Sequence, residues 1–130
     1  EEFTTFKTAE SRALIGDSMA ATISLLTTVN HPFVFGKAIL QSPYVDEHVL
    51  NEVRNASHTE SLHLYHIIGL REDKVLTTDK TIKDFLTPNR ALHELIGELG
   101  IPCFYEEIDG NHTWKYWKPD LKRALIEIFG

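Results

Sequence analysis

The 130-residue chain holds one cysteine, Cys103, and one methionine, Met19. A single cysteine excludes an intramolecular disulfide and a cysteine-rich zinc site. No apolar run reaches the length of a transmembrane helix, so no membrane partner is expected. Cations are in the minority: 13 Lys+Arg stand against 19 Asp+Glu, a formal net charge of -6. A chain without surplus cations does not suit general binding to nucleic-acid phosphates. Internal repeats, low-complexity stretches and a secretory signal pattern are also missing. The chain opens on Glu1 rather than Met, so upstream sequence is expected. The compartment stays open, with a lean toward the cytoplasm.

What is present suits one core: 42% of residues are hydrophobic, 10% aromatic and 25% charged. Residues 1–130 therefore read as a single domain or a portion of one. Arg12 to Ile15 is a short apolar run ending at Gly16 and predicts a strand. Met19 to Val29 predicts a helix that stops ahead of Pro32. Phe35 to Gln41 predicts a second strand, closed by Ser42 and Pro43. Val45, Val49 and Val53 outline a short helix. Leu62 to Leu70 predicts a third strand, with His63 and His66 on opposite faces. Ile82, Phe85, Leu86, Leu92, Leu95, Ile96 and Leu99 predict a helix that restarts at Pro88, with Thr87 as its N-cap and Gly100 beyond its end. Cys103 to Ile108 predicts a fourth strand. Trp117, Leu121, Leu125 and Ile128 mark a last helix.

Strands that alternate with helices imply an α/β chain: about four parallel strands joined by crossover helices. Ligands of such sheets bind at the carboxyl ends of the strands, which directs attention to the loops after each strand. The first loop, Gly16-Asp17-Ser18-Met19-Ala20, follows a strand and opens a helix. This is the context of a nucleophile elbow, G-x-S-x-G, in which small flanking residues permit a tight turn. The turn would lift the Ser18 hydroxyl above the sheet and aim the Met19 N–H at the site as half of an oxyanion hole. The third loop, Gly69-Leu70-Arg71-Glu72-Asp73, supplies two adjacent carboxylates. The fourth, Asp109-Gly110-Asn111-His112, supplies a histidine. Serine needs a base to become nucleophilic, and histidine needs a carboxylate to fix its tautomer. The order serine, acid, histidine is that of the α/β-hydrolases, and the conjunction is more specific than any one motif.

With these residues in view, Arg12-Ala13-Leu14-Ile15-Gly16-Asp17-Ser18-Met19-Ala20-Ala21 resembles the R-x-I-x-G-x-S-M-G-G segment of the Putative esterase family. That family includes esterase D and the enterochelin (siderophore) esterases. His31-Pro32-Phe33-Val34-Phe35-Gly36 with Gln41-Ser42 resembles its H-P-x-x-F-G … S-x-S segment. Gly110-Asn111-His112-Thr113-Trp114-Lys115-Tyr116-Trp117 resembles its G-G-H-x-W-x-x-W segment. Gly69-Leu70-Arg71-Glu72 is similar to the G-I-R-E of enterochelin esterases. Ala20, Ala21 and Asn111 replace glycines, and none of these departures removes a reactive group.

The resemblance implies an α/β-hydrolase fold, Ser18 as nucleophile and His112 as general base and acid. The family's acid position falls on Glu72, with Asp73 as close competitor. Asp79 is more distant and fits better as a helix N-cap. No metal or organic cofactor is expected. Trp114, near the histidine, is a candidate substrate contact, and Arg71 a candidate cation for an anionic ligand. Trp117 reads as core, Cys103 as inert packing, and His58 and His93 as surface residues.

The leading expectation is a serine carboxylic-ester hydrolase, with a siderophore trilactone or another acyl ester as its small-molecule substrate. The alternative is a non-catalytic or incomplete hydrolase-like piece that acts through sheet-edge association. In this fold, upstream strands form the other half of the sheet and carry the second oxyanion donor. The chain is thus expected to be the C-terminal half, with an open edge that pairs with the missing half or with a second copy.

Overall fold

The computed structural model describes residues 6–130. The elements run β1 (Ala13–Asp17), α1 (Met19–Asn30), β2 (Lys37–Gln41), α2 (Glu47–Arg54), β3 (His63–Gly69), β4 (Val75–Leu76), β5 (Ile82–Lys83), α3 (Leu86–Glu98), β6 (Cys103–Ile108) and α4 (Trp114–Phe129). A four-stranded parallel sheet has the order β1-β2-β3-β6, and β4 pairs antiparallel with β5 in a small hairpin. Among the described residues no helix is long and apolar enough to cross a membrane.

Strand side chains alternate between two faces, and each face buries a different helix layer. Ala38, Leu40 and Leu64 meet Leu25 and Val29 of α1, Val49 and Val53 of α2, and Leu92 and Ile96 of α3. Ile39, Tyr65 and Ile67 meet Trp117, Ala124 and Ile128 of α4. A buried polar network also docks α4. Asp120 Oδ1 accepts from the Tyr65 hydroxyl at 2.7 Å and from Arg123 at 2.8 Å, while its Oδ2 accepts from Gln41 Nε2 at 3.1 Å.

Two expectations need correction between the third strand and the third helix. Ile82 and Phe85 are not helical: Ile82 lies in β5, and α3 starts at Leu86. Nor is Thr87 or Asp79 the helix cap. Asp84 Oδ1 accepts from the Leu86 and Thr87 N–H groups at 2.9 and 3.1 Å. Pro88 therefore sits at the third helical position, where its missing N–H costs no intrahelical bond. Asp79 instead closes the β4–β5 turn, accepting from Thr77 and Thr81. The first strand also runs two residues further than the apolar pattern, through Gly16 to Asp17.

β1 is an edge strand, paired only with β2 among the described residues. Ile15 on this strand is 45% exposed, and Met19 and Ile23 on the adjoining α1 are 55% and 62% exposed.

His66 lies in the core with no exposed surface. Asn89 spends its amide N–H groups on the Pro43 and Phe85 carbonyls, so its Oδ1 accepts from His66 Nε2 at 2.7 Å. Nδ1 is left without a partner. Burial pushes this imidazole down from 6.5 to about 4. Above pH 6.5 the ring is neutral whether folded or unfolded. Between pH 6.5 and 4 the unfolded chain takes a proton that the folded one refuses, so stability falls across that window. The gap corresponds to about 3 kcal/mol. Urea unfolding midpoints over this range should decline. His66→Gln, whose amide can still donate to Asn89, should flatten the decline.

Candidate active site

The carboxyl ends of the four parallel strands converge, and each contributes one residue. Ser18 follows β1, Ser42 follows β2, Glu72 lies three residues past β3, and His112 lies four past β6. Sequence reasoning pointed to these loops, and the structure brings Ser18, Glu72 and His112 together. His112 Nε2 lies 2.8 Å from Ser18 Oγ, and His112 Nδ1 lies 2.6 Å from Glu72 Oε1.

Local chemistry explains how the serine is presented. Ser18 has φ 53° and ψ -123°, outside the wells that L-residues favour. Such a backbone costs of order 1–3 kcal/mol and persists only where its surroundings over-determine it. Here the Ser18 N–H donates to the Gln41 carbonyl at 2.9 Å, and Thr22 N–H donates to the Ser18 carbonyl at 3.2 Å. A Cβ on Gly16 would overlap the Ala20 carbonyl, so the turn closes only around glycine at that position. Ala20 itself is tolerated: the tight contact lies against its backbone. Ser18 precedes α1 but gives it no side-chain cap, and its hydroxyl is turned to His112 instead. Met19 is the first helical residue, so its N–H has no intrahelical acceptor. It borders the cleft beside Ser18.

Glu72 is fully buried. Its Oε2 accepts from the Ser42 hydroxyl at 2.6 Å and from the Gly69 N–H at 2.7 Å. Backbone bonds tie the acid loop to the histidine loop: Leu70 N–H donates to the Ile108 carbonyl at 2.8 Å, and Arg71 N–H to the Gly110 carbonyl at 3.1 Å. A Cβ on Gly69 would strike Gly110 and Glu72 Oε2, so this close approach also requires glycine. Asp73, the other candidate acid, is exposed and makes no hydrogen bond to this network. The His112 ring is held edge-on by Phe85 and Trp117, each with its centroid 4.8 Å away. Trp117 thus serves both the core and the histidine. Asp17, beside the serine, has its carboxyl pushed up by burial, while the nearby His112 pulls it back. Burial raises the Cys103 thiol to about 12, which keeps it from acting as a nucleophile.

A cleft of about 350 Å³ opens over Ser18 and His112. Tyr44, Val75, Leu76 and Phe85 give it apolar walls, with Lys83 and Asp79 at the rim. The β4–β5 hairpin forms one wall, an element that sequence reasoning missed. Its signal was the pair Val75-Leu76 and Ile82 flanking a polar Thr-Thr-Asp-Lys turn. Trp114 is 55% exposed, packs edge-on to Trp117 at 6.2 Å, and is not among the residues lining this cleft. Arg71 pairs with Asp109 and donates to the Tyr116 hydroxyl at 2.9 Å. It borders a separate cavity of about 290 Å³ beside His112. Among the described residues no group of three or more His, Cys, Asp or Glu is placed to hold a metal ion.

Comparison with known proteins bears on the family and the fold. A family profile described as Putative esterase matches residues 3–128. The chain is 44% identical over 128 residues to the uncharacterized protein YjcH of Bacillus subtilis (strain 168), covering 98% of this chain and 53% of that protein. An enterochelin esterase from Shigella flexneri superposes with a TM-score of 0.79 at 20% identity, over 95% of this chain and 32% of that one. A ferulic acid esterase superposes at 0.78 and 17% identity, over 95% and 52%. An S-formylglutathione hydrolase from Staphylococcus aureus superposes at 0.73 and 16% identity, over 98% and 55%. The chain spans about half the length of the curated relative it matches and a third to about half of these structures. The fold is therefore a four-stranded α/β unit matching part of α/β-hydrolase esterases.

Proposed function

The chain belongs to the Putative esterase family, and on that premise we propose that it hydrolyses carboxylic esters through an acyl-enzyme on Ser18. The observation that carries this reading is the hydrogen-bonded line Ser18–His112–Glu72, drawn from three separate strand-end loops at 2.8 and 2.6 Å. Ser18 Oγ attacks the ester carbonyl carbon as its proton passes to His112 Nε2. Glu72 holds Nδ1–H and stabilises the imidazolium. The oxyanion that forms accepts from the Met19 N–H. His112 then gives its proton to the departing alcohol, and water repeats the sequence to release the acid.

Hydrolysis of a p-nitrophenyl short-chain ester tests this, together with fluorophosphonate labelling that must map to Ser18. Absence of both turnover and labelling would overturn the reading. Within the ester class we propose a siderophore-type catecholate trilactone as substrate. The support is the likeness of Gly69-Leu70-Arg71-Glu72 to the enterochelin esterase stretch. Arg71, which lines the cavity beside His112 together with Lys74, would offer a cation to such an anionic ligand. Trp114 would contact substrate only from outside the main cleft. Turnover of the trilactone against simple acyl and carbohydrate esters decides the matter.

A second reading rests on the exposed β1 edge and the apolar Ile15, Met19 and Ile23 around it. We propose that this edge associates with a second copy of the chain, strand against strand, since an edge meeting itself across a twofold axis is self-complementary. Sedimentation of the 130-residue chain should give a mass above 14.9 kDa, and Ile23→Glu should return it to monomer. A wild-type monomer at high concentration would refute the association.

A further inference from the structure

Glu72 has no exposed surface, and a carboxylate without water must have its oxygens answered by protein donors. The two oxygens are answered differently. Oε1 faces His112 Nδ1 at 2.6 Å, while Oε2 takes the Ser42 hydroxyl at 2.6 Å and the Gly69 N–H at 2.7 Å. A serine hydroxyl has one proton, and its neighbours decide where that proton points. Indole Nε1 only donates, and Trp117 Nε1 lies 3.1 Å from Ser42 Oγ. Ser42 therefore accepts from Trp117 and directs its own proton to Glu72. The Ser42 backbone is itself fixed, at φ 51° with its N–H donating to the Ile67 carbonyl at 2.9 Å. Every member of the chain Trp117–Ser42–Glu72 is buried.

We propose that Ser42 is a positioning residue for the reaction: with Trp117 behind it, its hydroxyl pins Oε2 of Glu72 so that Oε1 alone meets His112. This holds the imidazole in the tautomer whose Nε2 can take the Ser18 proton. Without the hydroxyl, Oε2 keeps only the Gly69 N–H, and the carboxylate is free to pivot about that bond. The proposal rests on the esterase reading above, but its geometry can be read without turnover.

The test is Ser42→Ala, assayed for ester hydrolysis and, separately, by proton NMR of the strongly hydrogen-bonded His112 Nδ1–H in the far-downfield region. The expected result is a fall in kcat of about 10- to 100-fold, the scale of losing one hydrogen bond to a charged group. KM should stay within about twofold, because substrate contacts are untouched. The Nδ1–H resonance should move upfield or broaden away. If Ser42→Ala does not fold, Ser42→Gly carries the same test, since glycine suits φ 51°. A folded variant with unchanged kcat and an unchanged Nδ1–H resonance overturns the proposal. A wild type without ester turnover whose resonance still collapses in Ser42→Ala supports the positioning and refutes the esterase reading instead.

Discussion

Ser18→Ala should abolish ester hydrolysis, with kcat reduced on the order of 10⁶-fold, and should abolish fluorophosphonate labelling entirely. The size of the loss follows from what the hydroxyl does. Among the described residues it is the hydroxyl that meets His112 Nε2, at 2.8 Å. Removing the nucleophile of a serine–histidine–acid unit costs nearly as much as removing the whole unit, and the residue that remains comes from oxyanion stabilisation and binding. The fold should survive the change. Alanine carries the same Cβ through φ 53°, so the backbone strain is not increased. The Ser18 hydroxyl caps no helix, so α1 loses nothing at its N-terminus. A variant with wild-type circular dichroism and no turnover separates chemistry from folding. Equal low rates in wild type and variant would reduce the observed hydrolysis to background.

The strands and most helices were legible because each has one strong local signal. β2 centres on Ala38-Ile39-Leu40 and β3 is largely apolar apart from His63 and His66, as strands covered on both faces tend to be. α1 is rich in Ala, Leu and Ile and stops ahead of Pro32, and α4 carries helical spacing over several turns. The elbow was legible because Gly16 and Ser18 answer a steric requirement that few residues meet. The hairpin was not. Its strands are two residues long, and Ile82 continues a helical spacing that Phe85, Leu86 and Leu92 also satisfy. The apolar periodicity cannot show that Asp84 intervenes as a cap and breaks it. The choice between Glu72 and Asp73 was likewise closed to spacing alone. It depends on the turn after β3, where Glu72 N–H bonds back to the Gly69 carbonyl at 3.0 Å and the next residue is carried out to solvent. Ser42 was hidden for another reason. Its partners Glu72 and Trp117 lie 30 and 75 residues away, and no local pattern records that proximity.

Glu72→Gln provides the other large effect, and the hydrogen bonds around it set its sign. Gln is nearly isosteric with Glu, so the buried site should accept it. Its amide, however, has one acceptor end and one donor end. Ser42 and Gly69 both donate to the Oε2 position, which demands the carbonyl oxygen there. The amide NH₂ is then left facing His112 Nδ1. To meet a donor, Nδ1 must give up its own proton, and the neutral ring carries it on Nε2 instead. That proton points at Ser18 Oγ, and a protonated Nε2 cannot accept another while the ring is neutral. The imidazole is locked in the wrong tautomer although every heavy atom stays in place. In serine proteases the equivalent acid-to-amide change lowers kcat about 10⁴-fold for this reason. A loss on the order of 10⁴ is therefore expected here, with KM little changed. Asp73→Asn, in contrast, changes an exposed side chain outside the network, and its kcat should stay within about twofold of wild type. Comparing the two variants on one ester identifies the acid directly. If Asp73→Asn were the crippled variant and Glu72→Gln the active one, the buried arrangement of Glu72 would have no part in the reaction.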